Sequence, residues 1–198
     1  MMSIRTLFLA FLVSTISILF TLGCAQKLKP EQSPELKTYL SMDVPTAKYT
    51  QILDRLQNQL HKKLKSRGEA HLTFLTPPEF SVLTQKAPLT AQEIHKLSSE
   101  FLKADPQVHW ICLGTGSKEI AGQIESTYYI VAQALPFLTF RKMLSEKSKL
   151  PLSQFDPNLF FPHITLGFTS RDLHFEDGLK KDEQSCPEEL QNLLKVLH

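Results

Sequence analysis

The chain predicts an α+β fold, and three observations carry that prediction. Segments with apolar residues three and four apart are interleaved with short runs of strand formers, in the order helix, strand, helix, strand, strand, helix, strand, helix. The 198 residues, 42% apolar and 21% charged, suffice for one domain with its own core. Two of the strand runs, Ala70-His71-Leu72-Thr73-Phe74-Leu75 and Phe161-Pro162-His163-Ile164-Thr165-Leu166-Gly167-Phe168, share the pattern His-apolar-Thr-apolar.

The domain is expected to start behind a leader, residues 1–24. Arg5 is the only charge before Lys27, Leu7 to Leu22 is broken only by Ser and Thr, and Gly23-Cys24-Ala25 follows. That is a positive n-region, an apolar h-region and a small-residue cleavage site. Thr21-Leu22-Gly23-Cys24 resembles the lipobox of bacterial lipoproteins, in which the cysteine becomes lipidated, although Thr21 stands where Leu is usual. Cleavage after Ala25 is a second reading. A third is an uncleaved anchor, because Thr6 to Gln26 is long enough to span a bilayer. Residues 25–44, polar and carrying Pro30 and Pro34, read as a tether to a domain over 45–198.

The elements follow in order. Tyr49, Ile52, Leu53, Leu56, Leu60 and Leu64 mark an amphipathic helix from about Pro45 to Ser66, ended by Gly68. Lys62, Lys63, Lys65 and Arg67 at its end read as a solvated cationic face, with a phosphate-binding patch as the alternative. Glu69 to Thr76 is the first motif strand, stopped by Pro77-Pro78. Thr90-Ala91-Gln92-Glu93 is a capping box that opens a second helix, closed by Asp105-Pro106. Val108 to Leu113 and Tyr128 to Ala132 read as a hairpin, with Gly114-Thr115-Gly116-Ser117 as a turn. A helix spans Phe137 to Leu144, and Phe160 to Phe168 is the second motif strand. Pro162 places it at an edge or at a strand start. Ser185-Cys186-Pro187-Glu188 opens a last helix burying Leu190, Leu193, Leu194 and Leu197.

A net charge of +2 is far from the basic excess of a dedicated nucleic-acid binder, while a small anionic substrate needs only local charge. Cys112 lies in an apolar run and reads as a buried free thiol, although export would permit a bond to Cys186. No zinc-type Cys/His spacing is present.

The two motifs point to chemistry. Strand side chains alternate faces, so His71 and Thr73 share one face while Leu72 and Phe74 anchor the other; His163 and Thr165 repeat the arrangement against Ile164 and Leu166. Either motif alone reads as a core histidine beside a β-branched neighbour. Two together can supply one neutral and one protonated imidazole, with Thr hydroxyls as donors to a developing oxyanion.

With their flanks, Glu69-Ala70-His71-Leu72-Thr73 running into Thr76-Pro77-Pro78-Glu79-Phe80, and Pro162-His163-Ile164-Thr165-Leu166-Gly167-Phe168-Thr169 before Arg171-Asp172, these motifs resemble the two-histidine (2H) phosphoesterase superfamily. Within it they look like the Swiss Army Knife subgroup, related to RNA 2′-5′ ligase-like cyclic phosphodiesterases. The resemblance covers about Pro45 to His198. It implies two pseudo-symmetric lobes of antiparallel sheet around a cleft, His71 and His163 as the catalytic pair, and Thr73 and Thr165 as phosphate-binding groups. The activity implied is hydrolysis of a 2′,3′-cyclic or related phosphodiester on a nucleotide or RNA end, with no metal or other cofactor. Tyr128, Tyr129, Arg141 and Arg171 are candidates for further substrate contacts. A monomer held to a bacterial envelope membrane through Cys24 is expected, with a periplasmic or secreted form as the alternative. A non-catalytic nucleotide- or RNA-binding lipoprotein, a structural envelope protein, and ligase-like activity are the competing functions.

Overall fold

The computed structural model describes residues 36–196. Their elements are β1 (Leu40–Asp43), α1 (Thr46–Leu60), β2 (His71–Leu75), α2 (Pro77–Lys86), α3 (Ala91–Lys103), β3 (His109–Ile120), β4 (Gln123–Gln133), α4 (Leu135–Ser148) and β5 (His163–Phe168). Three 3₁₀ segments, Phe175–Asp177, Glu183–Ser185 and Glu188–Val196, follow. The fold is α+β with two antiparallel sheets, β1-β2 and β3-β4-β5, each holding one motif strand.

Alternation places the motifs as their pattern requires. Leu72 and Phe74 of β2, and Ile164 and Leu166 of β5, are buried in one core with Leu113, Ile130 and Phe137, while His71, Thr73, His163 and Thr165 stay half-buried on the other face. The segment between α1 and β2 is drawn onto β5 by paired backbone hydrogen bonds between Lys65 and Phe168, at 2.8 and 2.9 Å. That approach needs Gly167, since a Cβ there would lie 3.0 Å from the Lys65 carbonyl oxygen.

Several expectations are corrected. Residues 40–43 are not tether but β1, which pairs with the first motif strand; its apolar content is only Leu40 and Met42, too little to stand out. Helix α1 ends at Leu60, because His61 turns into the left-handed region and the Gln57 side chain accepts from the Leu64 N–H. Pro77-Pro78 starts a helix as well as ending a strand: Thr76 and Glu79 form a capping box around the two prolines of α2. Gly114-Thr115-Gly116-Ser117 is strand, and the turn falls at Ala121-Gly122, both at positive φ. The glycines are there for packing, because a Cβ on Gly114 or Gly116 would strike the Tyr129 ring or the Leu179 side chain. The last segment winds as 3₁₀, pinned by Gln191, whose side chain hydrogen-bonds both backbone groups of Leu113. Cys112 is not a free thiol but is disulfide-bonded to Cys186, with Cα atoms 6.0 Å apart and a sequence separation of 74. Loop-closure entropy assigns such a bridge on the order of 4 kcal/mol.

Arg141, expected near substrate, is instead a buried strut. Its Nε donates to the Pro157 carbonyl at 3.0 Å. Nη1 donates to the Phe74 carbonyl at 3.1 Å and to Glu79 Oε2 at 3.0 Å. Nη2 reaches Glu79 Oε1 at 2.6 Å and the carbonyls of Asp156 and Leu159. Phe155 and Phe160 lie against the guanidinium, 5.2 and 5.0 Å from ring centre. Replacing it would leave a carboxylate and four carbonyls short of a partner. Arg141→Met is therefore expected to cost about 3–5 kcal/mol in urea unfolding; a loss under about 1 kcal/mol would show that the strut is dispensable.

Candidate active site

Strands β2 and β5 bring the two motifs to a single cavity. His71, Thr73, His163 and Thr165 all line a space of about 100 Å³, with Arg67, Glu69, Thr76, Asp172 and His174. That is room for roughly three waters, or for one tetrahedral oxyanion.

Both imidazoles are oriented by acceptors on Nδ1. His163 Nδ1 lies 2.7 Å from the Phe161 carbonyl, and His71 Nδ1 lies 3.3 Å from Glu69 Oε1. A carbonyl can only accept, so Nδ1 carries the proton in His163 and its Nε2 is left for chemistry, while the Glu69 carboxylate stands at ion-pair distance from His71. Burial pushes the His163 pKa down to about 3, with the Lys181 ammonium adding to the effect. His163 is therefore neutral near pH 7, with its Nε2 lone pair available. Tyr129 packs edge-on against the His163 ring, with centroids 5.8 Å apart.

Beside the motifs lies a charge cluster. Asp172, buried, accepts from Lys181 Nζ at 3.0 Å, from Arg67 Nη2 at 3.1 Å and from Thr165 Oγ1 at 3.3 Å. Burial pushes its carboxyl up, but Lys181, His174 and Arg67 together hold it below the ordinary value. Lys181 is only 3% exposed, and burial lowers its pKa against the opposing pull of Asp172. Two cations thus share one carboxylate, which leaves the cluster with an excess positive charge. His174 Nε2 stands 3.9 Å from Asp172.

The turn that carries these groups is fastened from below. Glu125 accepts from the Thr169 hydroxyl and from both the hydroxyl and the N–H of Ser170, and these bonds, the Ser170 hydroxyl first, hold its carboxyl down to about 2. Thr127 Oγ1 accepts from the Leu173 N–H at 2.8 Å. The disulfide anchors the far end just beyond Lys181.

Other candidate contacts do not reach this cavity. Tyr129 is fully buried behind His163, and Lys181 Nζ lies 5.3 Å from its ring centre. Tyr128 is half-buried against the main core. Arg171 pairs with Asp177, fixing the turn in which the His174 N–H also bonds Asp177. Cys24 and the whole leader lie outside the described residues. Conversely, Lys181 and His174 carried no visible signal, since Lys181 sits in a polar stretch and His174 has no Thr two residues on, and Arg67 was visible only as one of four helix-end cations for which a phosphate-binding patch was the weaker reading. Asp172 and Glu69 were visible only as flanks of the motifs.

A larger compartment of about 420 Å³ adjoins the cavity, and the two share Thr73, Thr76, His163 and His174 in their walls. Among the described residues, no helix is long and apolar enough to cross a membrane.

Comparison with known proteins agrees with this geometry. No curated protein and no solved structure matches the chain. A family model described as "Swiss Army Knife, 2H phosphoesterase domain" matches residues 38–174, from just before β1 to His174 at the cavity wall. The chain belongs to the 2H phosphoesterase family.

Proposed function

We propose that the protein is a metal-independent phosphodiesterase that opens a 2′,3′-cyclic or related cyclic phosphodiester on a nucleotide or RNA end. The observation that carries this reading is the shared cavity. It is lined by two imidazoles, by two motif threonines, and by Arg67 with its partner Asp172, the carboxylate that Lys181 also pairs.

His163 is the general base, because burial keeps it neutral. Its Nε2 takes a proton from water as the water oxygen bonds to phosphorus. The bond from phosphorus to one ribose oxygen breaks, and His71 Nε2–H gives that oxygen its proton. The product is a phosphomonoester beside a free hydroxyl, and solvent exchange resets the two rings. Arg67 and Lys181 balance the charge on the non-bridging oxygens, and Thr73 donates to one of them. Thr165 acts through the cluster, since its hydroxyl is already engaged by Asp172 and Lys181.

Export into an oxidising compartment, with attachment through Cys24, completes the proposal; the Cys112–Cys186 bond supports it. Cys24→Ser should abolish lipid labelling, and labelling that persists would refute the anchor.

The catalytic test uses adenosine 2′,3′-cyclic phosphate as substrate. His71→Ala and His163→Ala should each lower kcat by roughly 10² to 10⁴. The double variant should lose little more, because the two act as one unit. The acid limb of kcat/KM, which reports His163 in the free protein, should lie below the ordinary histidine range. Chelators should leave the rate unchanged. Full activity in either single variant would refute the mechanism.

A further inference from the structure

The larger compartment is built differently from the cavity beside it. Pro78, Leu159, Phe160, Phe161, Phe175 and Leu179 supply most of its apolar lining. The Phe161 and Phe175 rings stack at 5.7 Å with planes 19° apart. Leu159 and Phe175, 45% and 43% exposed, give the compartment an apolar rim beside a polar site. Its volume lies in the range of pockets that take a small organic group.

The charged groups in its wall are already committed. Every N–H of Arg141 is used on Glu79 and on loop carbonyls, Glu79 is used on Arg141 and Thr76, and Lys181 on Asp172 and Thr165. Glu176 is the remaining charge, and it is exposed. A group entering here would thus meet apolar surface and few free donors or acceptors. A ligand that relied on edge hydrogen bonds would have its polar atoms desolvated without partners.

We infer that this compartment receives an apolar substituent of the phosphodiester, held by surface contact and without reading a hydrogen-bond pattern. The inference rests on the phosphodiesterase reading of the adjoining cavity. Phosphate sits between the histidines, and the substituent crosses the shared wall of Thr73, Thr76, His163 and His174. Specificity then follows apolar area rather than base identity, and neither ribose nor base is required. Phe161 serves both sides, since its ring lines the compartment while its carbonyl fixes the His163 tautomer.

The test compares 1-O-alkylglycerol 2,3-cyclic phosphates bearing methyl, butyl and octyl chains with the 2′,3′-cyclic phosphates of adenosine and guanosine. kcat/KM should rise roughly fourfold per added methylene until the compartment is filled. Adenosine and guanosine substrates should differ little, where edge reading would separate them by orders of magnitude. Phe175→Ser and Leu159→Ser, at exposed positions the fold should tolerate, should flatten the chain-length dependence. A flat series in the unmodified protein, or a strong preference between the two purines, would overturn the inference. If none of these compounds is hydrolysed, the catalytic reading fails, and calorimetric binding still decides the compartment. Tighter binding of octyl than of methyl supports it, and equal binding refutes it.

Discussion

The structure depends on one buried guanidinium. Arg141 reaches from α4 to the carbonyl of Phe74 in the first motif strand, to Glu79 in the helix that follows, and to three carbonyls of the loop before the second motif strand. The loop over 156–159 turns the carbonyls of Asp156, Pro157 and Leu159 toward this buried guanidinium, buried carbonyls need donors, and a lysine could not supply a planar fork to several at once. The two motifs lie in different sheets with no shared ladder. Arg141 is thus a direct polar tie between the segments that bear them. Glu79 completes the tie and caps α2, so the Thr-Pro-Pro-Glu sequence after the first motif has a structural reason to be there.

On the open side, electrostatics do the dividing. One carboxylate, Asp172, is shared by Arg67, Lys181 and the Thr165 hydroxyl. The arrangement stores cations close together in a partly buried place without leaving the carboxylate unpaired. It also differentiates two histidines that the sequence presents as equivalents. His163 faces burial and a nearby ammonium, both of which oppose protonation. His71 has a carboxylate at its Nδ1 and a Tyr39 ring 6.3 Å away. In the proposed mechanism the acid and base roles would follow from these different surroundings, not from the matching motifs.

How much of this was legible depends on whether a feature is local. The faces of β2 and β5 could be read because strand alternation is a local rule, and Leu72, Phe74, Ile164 and Leu166 obey it. The α3 capping box was equally local. Strand β1 escaped because it has only four residues and is strand by virtue of its partner. Gly114 and Gly116 suggested a turn, yet their absent side chains make room for Tyr129 and Leu179, which lie far along the chain. Arg141 looked like a substrate ligand because a sequence cannot show that every donor is already taken. Arg67 and His174 reach the cavity, and Lys181 reaches its Asp172 and Thr165, through the Lys65–Phe168 bridge, the Glu125-held turn and the disulfide, all contacts between distant residues.

The central claim is that both imidazoles act on one phosphorus atom within a single cavity. A crystal structure with bound vanadate tests it most directly, because vanadate adopts the five-coordinate geometry of phosphoryl transfer. The account predicts vanadium between the two rings, with an oxygen within about 2.6–3.2 Å of each Nε2 and with Arg67 and Lys181 on the equatorial side. Vanadate bound elsewhere, or held by one histidine with the other turned away, would contradict it.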